Sequence, residues 1–92
     1  QVIDKLVKKL GDVKSAYIIG DYARGQDSGL IDILLIGKIN KAELDRIAER
    51  RGKDISRKIR PLVVTTKELR FLWSQLDMEH ALLIWGHPVK KE

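Results

Sequence analysis

The chain has 92 residues, 18 of them Lys or Arg and 13 Asp or Glu, for a formal charge of +5. That length suits one domain with a modest core, and the absence of Cys excludes a disulfide scaffold, a thiolate zinc site and a Cys nucleophile. No apolar stretch approaches the roughly 20 residues of a spanning helix, and nothing at the N-terminus reads as a signal peptide, so a soluble cytoplasmic protein without membrane contact is expected.

Val2, Ile3, Leu6, Val7 and Leu10 recur at helical spacing, with Gly11 as the C′ residue of a short amphipathic helix. Ala16 to Gly20 is a brief apolar run that reads as a buried strand. The polar segment Asp21 to Gly29 follows, and then Leu30 to Gly37 reads as a second strand with one acid, Asp32, inside it. Asn40 is an N-cap with Glu43 as its capping-box partner, opening a helix whose inner stripe is Leu44, Ile47, Ala48 and Ile55. Ile59 to Val64 is a third strand. Pro61 donates no ladder hydrogen bond, which puts this strand at an edge or the proline near its start. Thr65 and Glu68 form a second capping box, for a helix running through Leu69, Leu72 and Trp73 to about Leu76. Ala81 to Gly86 is either a last strand or a helix end, and residues 87–92 are expected to fray.

This order predicts an α/β fold in one domain spanning residues 1–92: a small mixed sheet of three to four strands packed with helices. A start at Gln1 rather than Met points to a piece of a longer chain. Residues 41–60 carry eight basic and four acidic side chains, whereas residues 1–40 carry six and five and residues 61–92 four and four. Nearly all of the positive excess therefore sits in one segment.

The informative stretch is Gly20-Asp21-Tyr22-Ala23-Arg24-Gly25, a spacer of five, and then Ile31-Asp32-Ile33-Leu34-Leu35. It resembles the signature of the DNA polymerase β-type nucleotidyltransferase superfamily, especially its minimal members: Gly-Ser-x-Ala-Arg-Gly, five residues, then Ser-Asp-Ile-Asp-Leu-Leu. The resemblance covers roughly residues 2–86 and implies a nucleotidyltransferase fold. In that family the glycine turn admits a triphosphate. Two aspartates one residue apart on a strand point to one side and hold two divalent ions, which clamp the reacting phosphate. A third carboxylate on the next strand usually completes the site.

This sequence departs from the pattern where the chemistry is done. Asp21 stands in place of the phosphate-binding Ser, Ile31 replaces the Ser before the first Asp, and Leu34 replaces the second Asp. Arg60 falls about where the third carboxylate belongs. Asp21 puts negative charge beside an incoming triphosphate, Leu34 binds no metal, and a lone Asp32 does not hold two Mg²⁺ ions. The resemblance thus implies a degenerate site with no catalytic residue, Asp32 being vestigial and ion-paired with Arg60. The same Gly-Asp-x-Ala-Arg-Gly and Ile-Asp pattern, with the run Arg57-Lys58-Ile59-Arg60, resembles domains found C-terminal to ArsR-like winged-helix regulators of prokaryotes. That implies a winged-helix domain preceding this one in the parent chain.

Several residues have two readings. Gly20, Asp21, Arg24, Gly25, Asp32 and Arg60 are candidates for nucleotide binding. Asp32 is equally an acid paired with Arg60 or Arg24, Asp21 a simple N-cap, and Arg24 a surface residue tied to a nearby acid. Arg50, Arg51, Lys53, Arg57 and Lys58 are nucleic-acid candidates, yet Glu43–Arg46, Glu49–Lys53 and Arg50–Asp54 stand at the spacing of a self-paired, solvated helix face. Phe71, Trp73 and Trp85 belong to the core or to a dimer seam. His80 and His87 are too far apart in sequence for close metal-ligand spacing.

The expected function is a catalytically degenerate nucleotidyltransferase-like domain: a ligand-sensing, scaffolding or dimerisation module of a transcription regulator, without cofactor, with a homodimer as one partner state. The alternative is an active minimal nucleotidyltransferase that transfers a nucleoside monophosphate, with Mg²⁺ or Mn²⁺ held by Asp32 and Asp21. A weaker alternative is a basic accessory domain that binds nucleic acid.

Overall fold

The computed structural model describes residues 2–92, with side chains from Asp4 onward. The side chains of Val2 and Ile3, counted above into the first apolar stripe, lie outside the described set. Helix α1, Val2–Leu10, leads into strand β1, Gly11–Ile19, and then into a single helical turn, α2, Gly20–Ala23. Strand β2, Leu30–Ile39, is followed by helix α3, Lys41–Asp54, strand β3, Lys58–Val64, and helix α4, Thr66–Phe71. A tight helical turn at Met78–His80 precedes strand β4, Leu82–Gly86, so the last apolar run is a strand.

The four strands form one sheet in the order β3-β2-β1-β4. β1 is antiparallel to both β2 and β4, and β3 is parallel to β2. A parallel pair needs a crossover, which α3 supplies. β2 is an interior strand covered on both faces, which explains why it reads as a nearly unbroken apolar run. β3 lies at an edge, where Pro61 costs no interior ladder bond.

Two apolar clusters sandwich the sheet. Leu10, Val13, Ala16, Leu35 and Leu44 pack on the face that carries α1 and α3. Tyr17, Ile19, Leu34, Ile36, Val64, Leu69 and Met78 pack on the other, beneath α4 and the segment after it. β1 starts five residues earlier than its apolar run suggests. A bulge between Val13 and Ser15 breaks the two-residue alternation there and places Val13 with Ala16 rather than with Tyr17.

Helix ends follow their caps. The Thr65 hydroxyl accepts from the Glu68 amide while the Glu68 carboxylate accepts from the Thr65 amide, a complete capping box. At α3 only half of the expected box forms: Asn40 accepts from the Glu43 amide, and the Glu43 side chain turns to Arg46 instead. Ile55 is not on the inner stripe; it is the exposed C-cap, and the buried position near that end is Gly52. Regular helix α4 stops at Phe71, but turns continue to Leu76. Asp77 then adopts φ 51, the Asp77 amide donates to the Ser74 carbonyl, and the Met78 amide to the Trp73 carbonyl, closing a Schellman-type end. Trp73 packs against the core, whereas Phe71 is 82% exposed and not part of it.

Residues 87–90 are tied to the fold. The Ser15 hydroxyl donates to the His87 carbonyl, the Val89 amide donates to the Tyr17 hydroxyl at 2.7 Å, and the Arg70 guanidinium reaches the Lys90 carbonyl at 3.2 Å. Val89 packs against the Tyr17 cluster, so burial and hydrogen bonds pin this segment.

Candidate functional site

The end of β1, the α2 turn, the start of β2 and the middle of β3 meet at one cleft. Asp32 and Arg60 are direct cross-strand partners in the parallel register, so both side chains rise from the same face of the sheet. The Arg60 guanidinium holds the Asp32 carboxylate with both ends: Nε donates to Oδ1 at 2.8 Å and Nη2 to Oδ2 at 3.0 Å. The pair expected from the sequence is therefore formed, in the fork geometry that favours Arg over Lys. It is half open to solvent, with the Arg60 side chain 50% exposed and Asp32 25%. Asp32 holds the Arg60 guanidinium above its ordinary pKa, first by hydrogen bonding and then by charge.

Gly20 is required by its neighbour. Its φ is 75°, and a Cβ built on it would stand 2.7 Å from Asp32 Oδ2. Only glycine lets the β1–α2 turn pass so close to the carboxylate.

A second charged group ties the cleft rim together. Arg24 donates to Asp21 at 2.8 Å and to Asp77 at 3.0 Å, and Asp77 also meets His80 Nδ1 at 3.0 Å. Arg24 is raised by Asp21 and then by Asp77, while His80 and then Arg24 hold the Asp77 carboxyl below its usual range. This chain of charges links the motif turn to the segment beyond α4. The cleft, about 290 Å³, is lined by Ile19, Gly20, Arg24, Asp32, Arg60, Leu62, Gln75 and Leu76.

The structure brings Gly20, Arg24, Asp32 and Arg60 to the cleft wall. Gly25 has nothing within 4 Å of where a Cβ would stand and serves the turn, its amide donating to the Tyr22 carbonyl. Asp21 is not an N-cap: Ile19 holds that position with no side-chain cap, and the Asp21 carboxylate goes to Arg24 instead. Ile31 points to the opposite, buried face from Asp32, and Leu34 is fully buried in the Tyr17 cluster. Among the described residues no group of three or more His, Cys, Asp or Glu is arranged to hold a metal ion. Sequence reasoning missed Asp77, His80, Gln75 and Leu76. Only the three-residue spacing of Asp77 and His80 hinted at a local pair, because the approach to Arg24 depends on the chain reversal at Asp77.

Apart from Arg60, the basic segment does not converge on the cleft. Lys53 pairs with Glu49, Arg57 with Asp27, and Arg51, rather than Arg50, with Asp54. Arg50 and Lys58 form no ion pair among the described residues. A shallow depression of about 630 Å³ lies at the C-terminal end of α3, lined by Glu49, Lys53, Arg57 and Lys58 among others, and shares no lining residue with the cleft. Among the described residues no helix is long and apolar enough to cross a membrane.

No known family profile matches the chain, and no curated protein matches it in sequence. Solved structures do match in shape. A mutant form of the toxin–antitoxin MntA–HpeT superposes with a TM-score of 0.66 at 14% identity, over 94% of this chain and 70% of that one. A toxin–antitoxin solved with AMP-PNP gives 0.66 at 17% identity, over 94% and 71%. A further MntA–HpeT mutant gives 0.66 at 16% identity, over 94% and 70%. At such identities the likeness shows the fold alone: a mixed four-stranded sheet packed with helices.

Proposed function

We propose that this chain is a catalytically silent nucleotidyltransferase-like module that retains the cleft and uses it for ligand sensing or scaffolding in a cytoplasmic, prokaryotic transcription regulator, joined there to a winged-helix domain. One observation carries the silent reading. The only motif aspartate kept on β2 is engaged at both oxygens by Arg60, a fixed cation on the strand where the fold family carries a carboxylate. The position of the second motif aspartate is Leu34, at 0% exposure. In-line phosphoryl transfer by two metals needs oxygen ligands converging on both ions, and this donor set does not fit them. The regulator context rests on the sequence resemblance alone.

A structural neighbour solved with AMP-PNP makes adenine nucleotides the first ligands to try. Thermal melting with a panel of nucleotides, with and without Mg²⁺ or Mn²⁺, separates the readings, since a ligand that binds only the folded state raises the melting temperature. The silent module predicts no metal-dependent shift; any shift by nucleotide alone identifies a sensed ligand. A shift that requires metal and disappears in Asp32→Ala would establish the active alternative, with Asp21 and Asp32 as its ligands.

A further inference from the structure

The face of the sheet that carries α1 and α3 is not completely filled. Ala16 of β1 and Ala48 of α3 are buried there with only a methyl group each, beside the leucines at 10, 35 and 44. A hollow of about 230 Å³ remains between the two helices and the sheet, lined from both helices and all four strands. Ala16, Leu35 and Ala48 line its buried part, and Ile47, Ile84 and Trp85 its partly exposed rim. Trp85 Nε1 donates to Asp4 at 3.3 Å, which fixes that wall. A water molecule needs two to four polar partners, and apolar walls supply none; a dry apolar cavity of about 150 Å³ already takes up benzene. One group interrupts the apolar lining. Among the described residues Arg51 is the only charged side chain in it, and no acid lines it. Arg51 Nη1 donates to Asp54 at 3.3 Å, while its Nε and Nη2 make no hydrogen bond to the described residues.

We propose that this hollow is a binding site for a small alkyl monocarboxylate, seated tail inward with its carboxylate on Arg51. Size sets the tail: at about 30 Å³ per water-sized group, the hollow takes about seven or eight carbons. Charge sets the head. The free Nε and Nη2 of Arg51 form the fork that matches a carboxylate, and a cationic ligand would meet Arg51 with no acid in the lining to offset it. Asp54 competes for the guanidinium only through one long, exposed bond. A concave apolar site with a single placed polar group is the form that small-molecule pockets take. The hollow shares no lining residue with the cleft of Asp32 and Arg60. Adjacent residues of β2, Asp32 and Ile33, face the two sites from opposite sides of the sheet. The inference is therefore independent of the reading of that cleft.

Octanoate and octanol, titrated separately into the 92-residue chain, test it through isoleucine-methyl NMR spectra. Octanoate should shift the methyls of Ile33, Ile47, Ile59 and Ile84 saturably, because all four line the hollow. Ile19 and Ile36, in the cluster on the opposite face, should not move. Octanol has the same tail without the charge and should bind about tenfold more weakly. Arg51→Gln, at an exposed position, should melt like the parent protein and weaken octanoate by a similar factor. Ala48→Leu should fill the hollow and abolish binding. No saturable shift at the four hollow isoleucines would overturn the proposal, as would octanoate binding indifferent to Arg51→Gln or no tighter than that of octanol. Shifts spread over both clusters would show detergent-like action instead of a site. Hollow methyls that move on dilution of the protein alone would give the hollow to a second copy of the chain. Either result overturns the proposal as well.

Discussion

A carboxylate at position 34 would lie two residues from Asp32 on the same face of β2, where Leu34 instead packs in the cluster of Tyr17, Leu69 and Met78 with no exposed surface. Restoring the second motif acid is thus a burial problem before it is a catalytic one. An ionised side chain in that cluster has no partner, and the lost packing adds to its desolvation. Leu34→Asp should cost about 3–5 kcal/mol of stability, read as a lowered midpoint in urea unfolding; an unchanged midpoint would mean that position 34 opens to the cleft. At this scale the sequence was informative where the chain is regular. Asp32 and Arg60 could be paired because the motif resemblance sets Arg60 about where a third carboxylate would stand, and Leu34 could be placed by counting two residues on. Asp21 was misjudged: a helix-start acid ordinarily caps, but here the turn is a single one and Arg24, three residues on, takes the carboxylate.

Between elements, the segment from Leu72 to His80 does most to shape the cleft. Its Schellman-type closure puts Asp77 in a left-handed conformation from which it reaches both Arg24 and His80. Asp77 therefore clips the motif turn to the far wall. Because its folded-state pKa lies below the ordinary value of about 3.9, its contribution is fully present above that value and is lost as pH falls through the lower folded pKa. Asp77→Asn keeps a residue that tolerates the left-handed backbone. It should lower the melting temperature at neutral pH, with the gap to the parent protein closing as pH drops below about 4. A gap independent of pH would show that the carboxylate charge is not what clips the turn. The capping residues Thr65, Glu68 and Asn40 marked where helices begin. The end near Leu76 was legible, but the left-handed turn at Asp77 that carries its carboxylate to Arg24 was not, since a left-handed aspartate leaves no compositional mark. The true start of β1 was hidden likewise, because a bulge at Lys14 erases the alternation that identifies strands.

Across the whole molecule, the order of elements could be read from the chain, because each apolar run has the period of the element it becomes. The order of strands in the sheet could not, since Pro61 left β3 either at an edge or with its proline near the start. The docked C-terminal segment was missed because His87, Pro88 and the lysines look like a solvated tail, while the anchor is one apolar residue, Val89, and the Tyr17 hydroxyl. The surface charge follows the same logic of local pairing: Glu43–Arg46, Glu49–Lys53, Asp54–Arg51 and Asp27–Arg57 neutralise much of the basic segment, and exposed pairs of this kind contribute little to stability. Asp32 and Arg60 form a fixed ion pair in place of the metal site that the motif resemblance implies. The most direct test is a Mn²⁺ titration in the presence of ATP, followed by electron paramagnetic resonance, with the parent protein and Asp32→Ala side by side. The expected result is the same free Mn²⁺–ATP signal in both, with no protein-bound population. A stoichiometric bound population in the parent protein that vanishes in Asp32→Ala would contradict it.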